Sequence, residues 1–295
     1  MINTNISPRT GTLLVFLAGV LWSTVGVAVK SMESADAFQI LLYRSLSLSL
    51  YIGFITFILF GNPLFSIVKN IKKYTLCGAF LFCAYLGGIY SLQHTSAANA
   101  LILFACAPII TAVVSSIFLR EIVTKVTFVS IILAMFGVLI MVWNDFGDTN
   151  SKGNLAAIGS AFGFALFTVN LRYNKNIEML PSVFVSGIIG FLFTFFIISF
   201  SGVGFIIPQN DFLIAISMGV FQVGSGLVLY TIGSKVVAAT QLTILSLGEV
   251  FLGPLWVWVA IGEEVSLNTF LGGLIIFAAV LFNAFFVQSK NKALD

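Results

Sequence analysis

The segment LTILSLGEVFLGPLWVW (residues 242–258) decides the class of fold, because it is a long and mostly apolar run of the kind that crosses a membrane. Its only charged residue is Glu249. Apolar stretches of about 20 residues, enough to cross about 30 Å of hydrocarbon, recur along the chain with short polar breaks. Of all 295 residues, 59% are hydrophobic and 8% are charged, whereas about a quarter are charged in an ordinary globular domain. The sequence therefore predicts a helical protein with many membrane crossings.

Ten helices account for the apolar stretches, which run continuously instead of alternating as barrel strands do. The predicted spans are residues 11–29, 37–60, 73–92, 97–119, 124–143, 153–173, 180–201, 211–231, 237–261 and 267–288. The predicted fold class is thus an all-α membrane protein. Residues 1–10 and 289–295 are polar tails, and the first helix is expected to serve as its own insertion signal.

Basic residues are concentrated on one predicted side of the membrane. Eleven of the fourteen Lys and Arg residues lie in the tails or in every second loop, which the positive-inside rule assigns to the cytoplasm. These are Arg9, Lys69, Lys72, Lys73, Arg120, Lys125, Arg172, Lys175, Lys235, Lys290 and Lys292. We therefore expect both termini to be cytoplasmic, in a multi-pass protein of the cytoplasmic (inner) membrane.

The residues that usually carry enzyme chemistry are scarce. Cys77, Cys83 and Cys106 all fall in predicted spans, where apolar packing is favoured over disulfides or metal ligation. His94 is the only histidine and is expected at the surface, not in a proton relay. The chain has no Walker A, HExxH or dinucleotide-binding motif. We expect no enzyme activity and no metal, cofactor or nucleic-acid partner.

The chain repeats itself at an offset of 142 residues, which defines units 11–145 and 153–288. Aligned pairs include Gly11 with Gly153, Lys30 with Arg172, Glu121 with Glu263 and Leu139 with Leu281. Each unit has five predicted helices, and because five is odd the second unit enters the membrane from the opposite face. The prediction is two inverted five-helix repeats, an architecture that suits alternating-access transport.

Short motifs recur at matching places in the two units. LREIV (119–123) and IGEEV (261–265) close the fourth helix of each unit. The connections from the third helix to the fourth, SAANALILFACAP (96–108) and VAATQLTILSLGE (237–249), contain many small residues. In these features, and in Arg44 of its second helix, the chain resembles the EamA-type drug/metabolite transporter superfamily. It departs from that family where Val250, not proline, follows Glu249.

The resemblance implies export or exchange of small organic metabolites through a central cavity. In this family the cavity is lined mainly by helices 1, 3, 4, 6, 8 and 9. The resemblance does not imply a particular substrate.

Glu249 lies about twelve residues into the predicted ninth helix, or about 18 Å along its axis, near the bilayer midplane. A charge there costs at least about 2.5 kcal/mol on the insertion scale. Its aligned residue in the first unit is Ala107, so only the second unit has a carboxylate at this position. This asymmetry indicates a role other than forming the repeated fold. Three roles stay open: counter-charge for an amine, proton carrier, or neutral acid hydrogen-bonded to a neighbouring helix.

Aromatic and amide side chains near mid-helix complete the predicted site, because stacking and hydrogen bonding suit a mostly apolar ligand pocket. Trp22 aligns with Phe164, and Asn99 aligns with Gln241. The candidate substrate-binding residues are Glu249, Trp22, Tyr85, Gln222, Asn99, Gln241 and Phe164, with Glu249 also the candidate for coupling.

Arg44 and one glycine pair receive structural interpretations. Arg44 is predicted about 10 Å from the external end of the second helix, so its stem could lift the guanidinium to the interface. Pairing with Glu249 or with a substrate carboxylate is the alternative. Gly159 and Gly163 form a GxxxG sequence, which predicts close helix packing.

The sequence as a whole favours a secondary carrier that exports or exchanges amino-acid-like or amine-bearing compounds. One alternative is uptake of a cationic nutrient by Glu249 together with an aromatic cage of Trp22, Tyr85 and other aromatic residues. A non-transporting scaffold or an intramembrane enzyme is the alternative from another class. The expected partners are a small organic solute and the lipid bilayer; the sequence leaves proton coupling, substrate identity and oligomeric state open.

Overall fold

The computed structural model describes residues 6–60, 68, 70–95, 97–143, 151–262 and 264–291, and all regular structure in them is helical. Nine helical segments of this part are long and apolar enough to cross a membrane, and Lys125–Met141 is a shorter apolar helix. Together they form ten spans, which we number 1 to 10 in chain order. The predicted all-helical fold with ten crossings is confirmed. Lys69, Glu263 and Lys292 lie outside the described residues.

Six spans are single helices. Spans 2, 3, 5, 6, 7 and 10 are Ala37–Phe60, Ile71–His94, Lys125–Met141, Ser151–Tyr173, Leu180–Ser201 and Leu267–Asn291. Span 10 runs three residues beyond its predicted end at residue 288.

The other four spans are interrupted. Span 1 is Pro8–Trp22 and Val25–Lys30; span 4 is Ala97–Phe104 and Ala107–Phe118. Span 8 is Gln209–Ser217, a π-helix Met218–Ser225 and Gly226–Gly233; span 9 is Ala239–Ser246 and Gly248–Ile261. All four belong to the set that the family resemblance assigns to the cavity lining.

The helix ends follow from local sequence. Ser7 and Thr124 accept hydrogen bonds from backbone N–H groups three residues later, at 3.2 and 3.1 Å, and so cap spans 1 and 5. Gly202 and Gly262 end spans 7 and 9 with φ of 76° and 80°, a left-handed conformation that glycine adopts without steric cost.

The packing of the spans has the symmetry of an inverted repeat. Span 3 packs on span 6, and its counterpart span 8 packs on span 1. Likewise span 4 contacts span 6 while span 9 contacts span 1, and spans 2 and 7 pair, as do spans 5 and 10. Exchanging the two units leaves this pattern unchanged. With five crossings in each unit, the units run through the membrane in opposite directions, as the repeat predicts.

Glycines allow the close helix contacts, although only half of the GxxxG sequence takes part. A Cβ atom on Gly163 of span 6 would lie 2.8 Å from the backbone atoms Ala84 N and Phe80 O of span 3. A Cβ on Gly159 would meet nothing within 4 Å. The prediction of close packing holds for Gly163 and is wrong for Gly159, which faces away from span 3.

Candidate functional site

Glu249 lies near the middle of span 9, beside the interruption of that span. The first helix of span 9 ends at Ser246, and Glu249 is in the first turn of the helix that begins at Gly248. A first turn has unpaired backbone N–H groups and the positive end of the helix dipole, which stabilises a carboxylate by about 0.3–1 kcal/mol. Span 4 is interrupted at the aligned place, where Ala107 begins its second helix. The break belongs to both repeats, but the carboxylate belongs to one.

The Glu249 carboxylate is not held by a direct bond. Within the described part of the chain, no hydrogen bond and no ion pair reaches it. It is within electrostatic range of the hydroxyl groups of Tyr85 in span 3 and Tyr230 in span 8. The side chain is only half-buried although these spans surround it. Its oxygens therefore keep room for a further hydrogen-bond donor.

Three aromatic rings from three spans form a cluster. The ring centroids of Trp22 and Phe164 are 6.0 Å apart, and Tyr230 lies 5.2 Å from Trp22 and 5.6 Å from Phe164. Tyr230 is fully buried, and its hydroxyl is 2.8 Å from the hydroxyl of Thr168. Trp22 and Phe164 remain half-buried. They can therefore offer apolar surface to a solute, with Tyr230 fixed behind them.

The Trp22 ring depends on a glycine for its position. A Cβ atom on Gly226 of span 8 would lie 2.7 Å from Cδ1 of Trp22 and closer still to Nε1. Carbon atoms in ordinary contact are about 3.5–4.0 Å apart, so the indole occupies the space of the missing side chain.

Gln222 lies in the π-helix of span 8 and supports the break in span 1. Its Nε2 donates a hydrogen bond of 3.0 Å to the backbone carbonyl of Trp22, next to that break. Its Oε1 is buried and has no hydrogen-bond partner among the described residues. Ser225 of the same π-helix lies 2.9 Å from the hydroxyl of Tyr51 in span 2. Such helices are rare and often mark functional sites.

Arg44 points inward, so the prediction that it reaches the interface is wrong. The residue is only 6% exposed, and its Cζ atom lies 4.9 Å from the centroid of the Tyr85 ring. Attraction between a guanidinium and an aromatic face offsets part of the cost of burying the charge.

The two amides lie towards the ends of their spans. Asn99 donates a hydrogen bond of 3.4 Å to the Thr95 hydroxyl, which donates in turn to Asn154 at 2.7 Å. Asn99 thus belongs to a network that joins spans 4 and 6 at one end of the bundle. Gln241 is 6% exposed in the first turn of span 9, and its Nε2 has no partner within the described part of the structure.

A charged cluster joins spans 4, 6 and 9 at the end of the bundle opposite to the Asn99 network. Arg172 Nε donates to Glu121 at 2.8 Å, and the second oxygen of Glu121 accepts from the backbone N–H of Ala239 at 2.9 Å. Arg172 also donates to the carbonyl of Lys235 at 2.6 Å. The glutamate of the LREIV motif thus caps the first helix of span 9 and ties it to span 6.

Several residues near the site escaped the sequence reasoning. Tyr230 was missed, although a tyrosine at mid-helix in GLVLYTIG was a usable signal, because its hydroxyl needs a partner in lipid. Asp211 was also missed; it is fully buried and accepts three backbone hydrogen bonds from residues 33–35, at 2.7–2.9 Å. Asp211 fixes the loop after span 1. His94 stacks on Tyr90 at 3.8 Å at the end of span 3.

Comparison with known proteins gives consistent matches over the whole chain. The model of the EamA-like transporter family matches residues 9–143 and 151–285. An uncharacterized transporter of Clostridium kluyveri is 24% identical and covers 97% of this chain and 96% of its own. The uncharacterized inner membrane transporter YicL of Salmonella typhimurium is 25% identical, covering 97% and 98%. A crystal structure at 18% identity superposes with a TM-score of 0.78, covering 95% of this chain and 100% of that one; it shows the fold alone.

Proposed function

The chain belongs to the EamA-like transporter family, and from this membership we propose that it carries amino-acid-like or amine-bearing compounds across the cytoplasmic membrane by alternating access. The chain is a multi-pass membrane transporter, and the named relatives are transporters too. The proposal adds the solute class, export or exchange as the direction, and a cytoplasmic location for both termini. Non-enzymatic transport is the activity that this family membership supports.

The free carboxylate of Glu249 carries the proposal about the solute. A carboxylate in the middle of a membrane protein is stable only where a cation, a proton or water compensates it. No described side chain supplies a cation to Glu249. The ammonium group of a solute would supply one, while Trp22 and Phe164 would contact its apolar part.

The uptake of a purely cationic nutrient is less well supported. The cage for such a cation would need the face of Tyr85, but the guanidinium of Arg44 already lies 4.9 Å from the centroid of this ring. A second cation on the same ring would be repelled by Arg44. A solute that carries an amine together with other polar groups avoids this conflict.

Alternating access is supported by the symmetry and by the interrupted spans. The two units pack in a pattern that is unchanged when they are exchanged, so each can adopt the conformation of the other. The breaks in spans 1, 4 and 9 divide these spans into half-helices that can tilt separately. The cluster of Glu121 and Arg172 would hold one end of the pathway closed until it separates.

A counterflow experiment tests the proposed function. Purified protein in liposomes is loaded with unlabelled amino acids, amines, organic acids or nucleosides, and uptake of the matching labelled compound is measured. We expect exchange of amine-bearing compounds, a strong loss in Glu249→Gln and no loss in Glu264→Gln. Glu264 is the matched control because it is an exposed carboxylate outside the spans.

Two results would contradict the proposal. One is exchange of organic acids or nucleosides without exchange of any amine-bearing compound. The other is a Glu249→Gln variant that transports at the rate of the unaltered protein at every pH. Imposing a pH gradient on the same vesicles tests proton coupling, because only a coupled carrier accumulates solute against its gradient.

A further inference from the structure

Arg44 is a buried cation without a counter-anion. It is 94% buried, since only 6% of the residue is exposed. Across the described residues, no carboxylate lies within 4 Å of its guanidinium, and no side-chain hydrogen bond reaches it. We propose that Arg44 binds the anionic group of the transported solute, so that the site takes dipolar compounds with a carboxylate and an ammonium group. This inference rests on the proposed function, because it adds a second recognition group to the same site.

The contact with Tyr85 does not replace a counter-anion. Cation–π attraction contributes far less than the several kcal/mol that desolvation of an unpaired ion costs. Buried charges in proteins are therefore normally paired. A guanidinium left unpaired at the solute site is completed when an anion arrives, and its planar set of donors matches a carboxylate.

Three acids of the described part of the chain already have other partners. Glu121 pairs with Arg172, Glu178 pairs with Lys235, and Asp211 is bound by backbone N–H groups of residues 33–35. Glu249 is half-buried, and within the described residues no hydrogen bond or ion pair holds it. It does not pair with Arg44 either.

Two unpaired charges of opposite sign lie on different spans of the bundle. Arg44 is on span 2, where its Cζ atom lies 4.9 Å from the centroid of the Tyr85 ring of span 3, and Glu249 is on span 9. No ion pair joins them. A solute that presents a carboxylate to Arg44 and an ammonium to Glu249 would neutralise both, whereas a simple amine would neutralise only Glu249.

The backbone at Arg44 is held by contacts with span 8 and within span 2. The π-helix of span 8 brings Gly219 against span 2, where a Cβ atom would lie 3.0 Å from Leu48 N and closer still to the carbonyl oxygen of Arg44. Ser47 donates a hydrogen bond of 3.0 Å to the same carbonyl. The close approach of span 8 thus restrains the backbone from which the Arg44 side chain extends.

Matched sets of probes test this assignment. Each set holds an α-amino acid, the amine that lacks its carboxylate and the acid that lacks its amine, built on the leucine and the phenylalanine side chains. Binding is measured by competition with labelled amino acid in the intact protein. We compare the unaltered protein with Arg44→Gln, Arg44→Lys, Glu249→Gln and the control Ser49→Ala, which alters a buried group of span 2 that bonds within its own helix.

We expect Arg44→Gln to weaken amino-acid binding by about 10- to 100-fold, the usual effect of losing a hydrogen bond to a charged group. Amine binding should stay the same or improve, because a repelling cation is gone. Arg44→Lys should keep part of the preference for the amino acid, and Glu249→Gln should weaken amino acid and amine alike. Ser49→Ala should change neither. A merely structural role of Arg44 would weaken both probes equally.

The outcomes separate this inference from the proposed function. Equal loss of amino acid and amine in Arg44→Gln, or equal affinity for both in the unaltered protein, overturns the role of Arg44 while the role of Glu249 stands. Unchanged binding in Glu249→Gln overturns the proposed function instead. If Arg44→Gln does not fold, the affinities of the unaltered protein and of Arg44→Lys still test the inference. An Arg44→Lys variant that binds the amino acid no more tightly than the matching amine would refute an electrostatic contact.

Discussion

Replacing Gly226 by alanine is expected to displace the Trp22 indole and so weaken solute binding. The new Cβ atom would lie 2.7 Å from Cδ1 of Trp22, which is about 0.8–1.3 Å inside the optimum of about 3.5–4.0 Å between carbon atoms. The Cβ position is fixed by the helix, so the ring has to move by a comparable distance. That movement disturbs its packing on Phe164 and Tyr230.

The expected loss of solute affinity follows from two opposing free-energy contributions, overpacking and helix propensity. Overpacking a well-packed interior costs about 1–3 kcal/mol. Alanine favours a helix over glycine by about 0.8–1 kcal/mol, which offsets part of this cost. If about 1.4 kcal/mol of the remainder falls on the solute-bound state, the affinity decreases about tenfold.

Gly159→Ala is the matched control for this change. It is the same substitution in the interior of span 6, but its Cβ atom would meet nothing within 4 Å. We expect Gly159→Ala to leave counterflow unchanged and to raise the thermal unfolding temperature slightly. Gly226→Ala should lower that temperature and raise KM in counterflow. Adding Trp22→Phe to Gly226→Ala should restore part of the unfolding temperature, because the smaller ring leaves room for the methyl group. Equal unfolding temperatures and equal KM values in Gly226→Ala and Gly159→Ala would refute the displacement of the Trp22 ring.

Three further changes test other parts of the molecule. Lowering the pH should reduce flux of amine-bearing compounds, because protonation of Glu249 removes the counter-charge, and Glu249→Gln should lose this dependence; identical pH profiles of flux would contradict it. Glu121→Gln should lower the free energy of unfolding by about 1–2 kcal/mol, since it loses a charge-assisted bond to Arg172, and cysteine labelling should detect more opening at that end; unchanged labelling argues against a closing role. Gly163→Ala should lower the free energy of unfolding by about 1–3 kcal/mol, as measured by thermal unfolding beside Gly159→Ala, and equal stability of these two variants would count against the close contact of spans 3 and 6.

The sequence predicted part of the aromatic cluster of Trp22, Phe164 and Tyr230. Trp22 and Phe164 occupy the same place in the two repeats, and their rings are 6.0 Å apart. A two-fold relation between spans 1 and 6 brings aligned residues near mid-helix towards the same axis. Symmetry could not reveal Tyr230, however, because its aligned residue is Gly88 and the first repeat has no ring there. Such an asymmetric residue is visible only from its contacts.

Arg44 shows where sequence reasoning went wrong. Its distance from the helix end was compatible with a stem that reaches the interface, and nothing in the local sequence favoured the opposite direction. The side chain instead lies over Tyr85, 41 positions further along the chain. This is a contact between spans 2 and 3, and the local sequence around Arg44 does not specify it.

By itself the sequence determined the number of crossings, their bounds within a few residues and the opposed direction of the two repeats. These depend on the length of apolar runs and on an odd number of helices in each unit, and both can be counted along the chain. Only the tertiary structure decided which side chains from different spans meet, such as Arg44 with Tyr85 and Trp22 with Tyr230. The face of a span that meets lipid is as apolar as the face that meets another helix, so the periodicity of the sequence does not specify how each span is rotated.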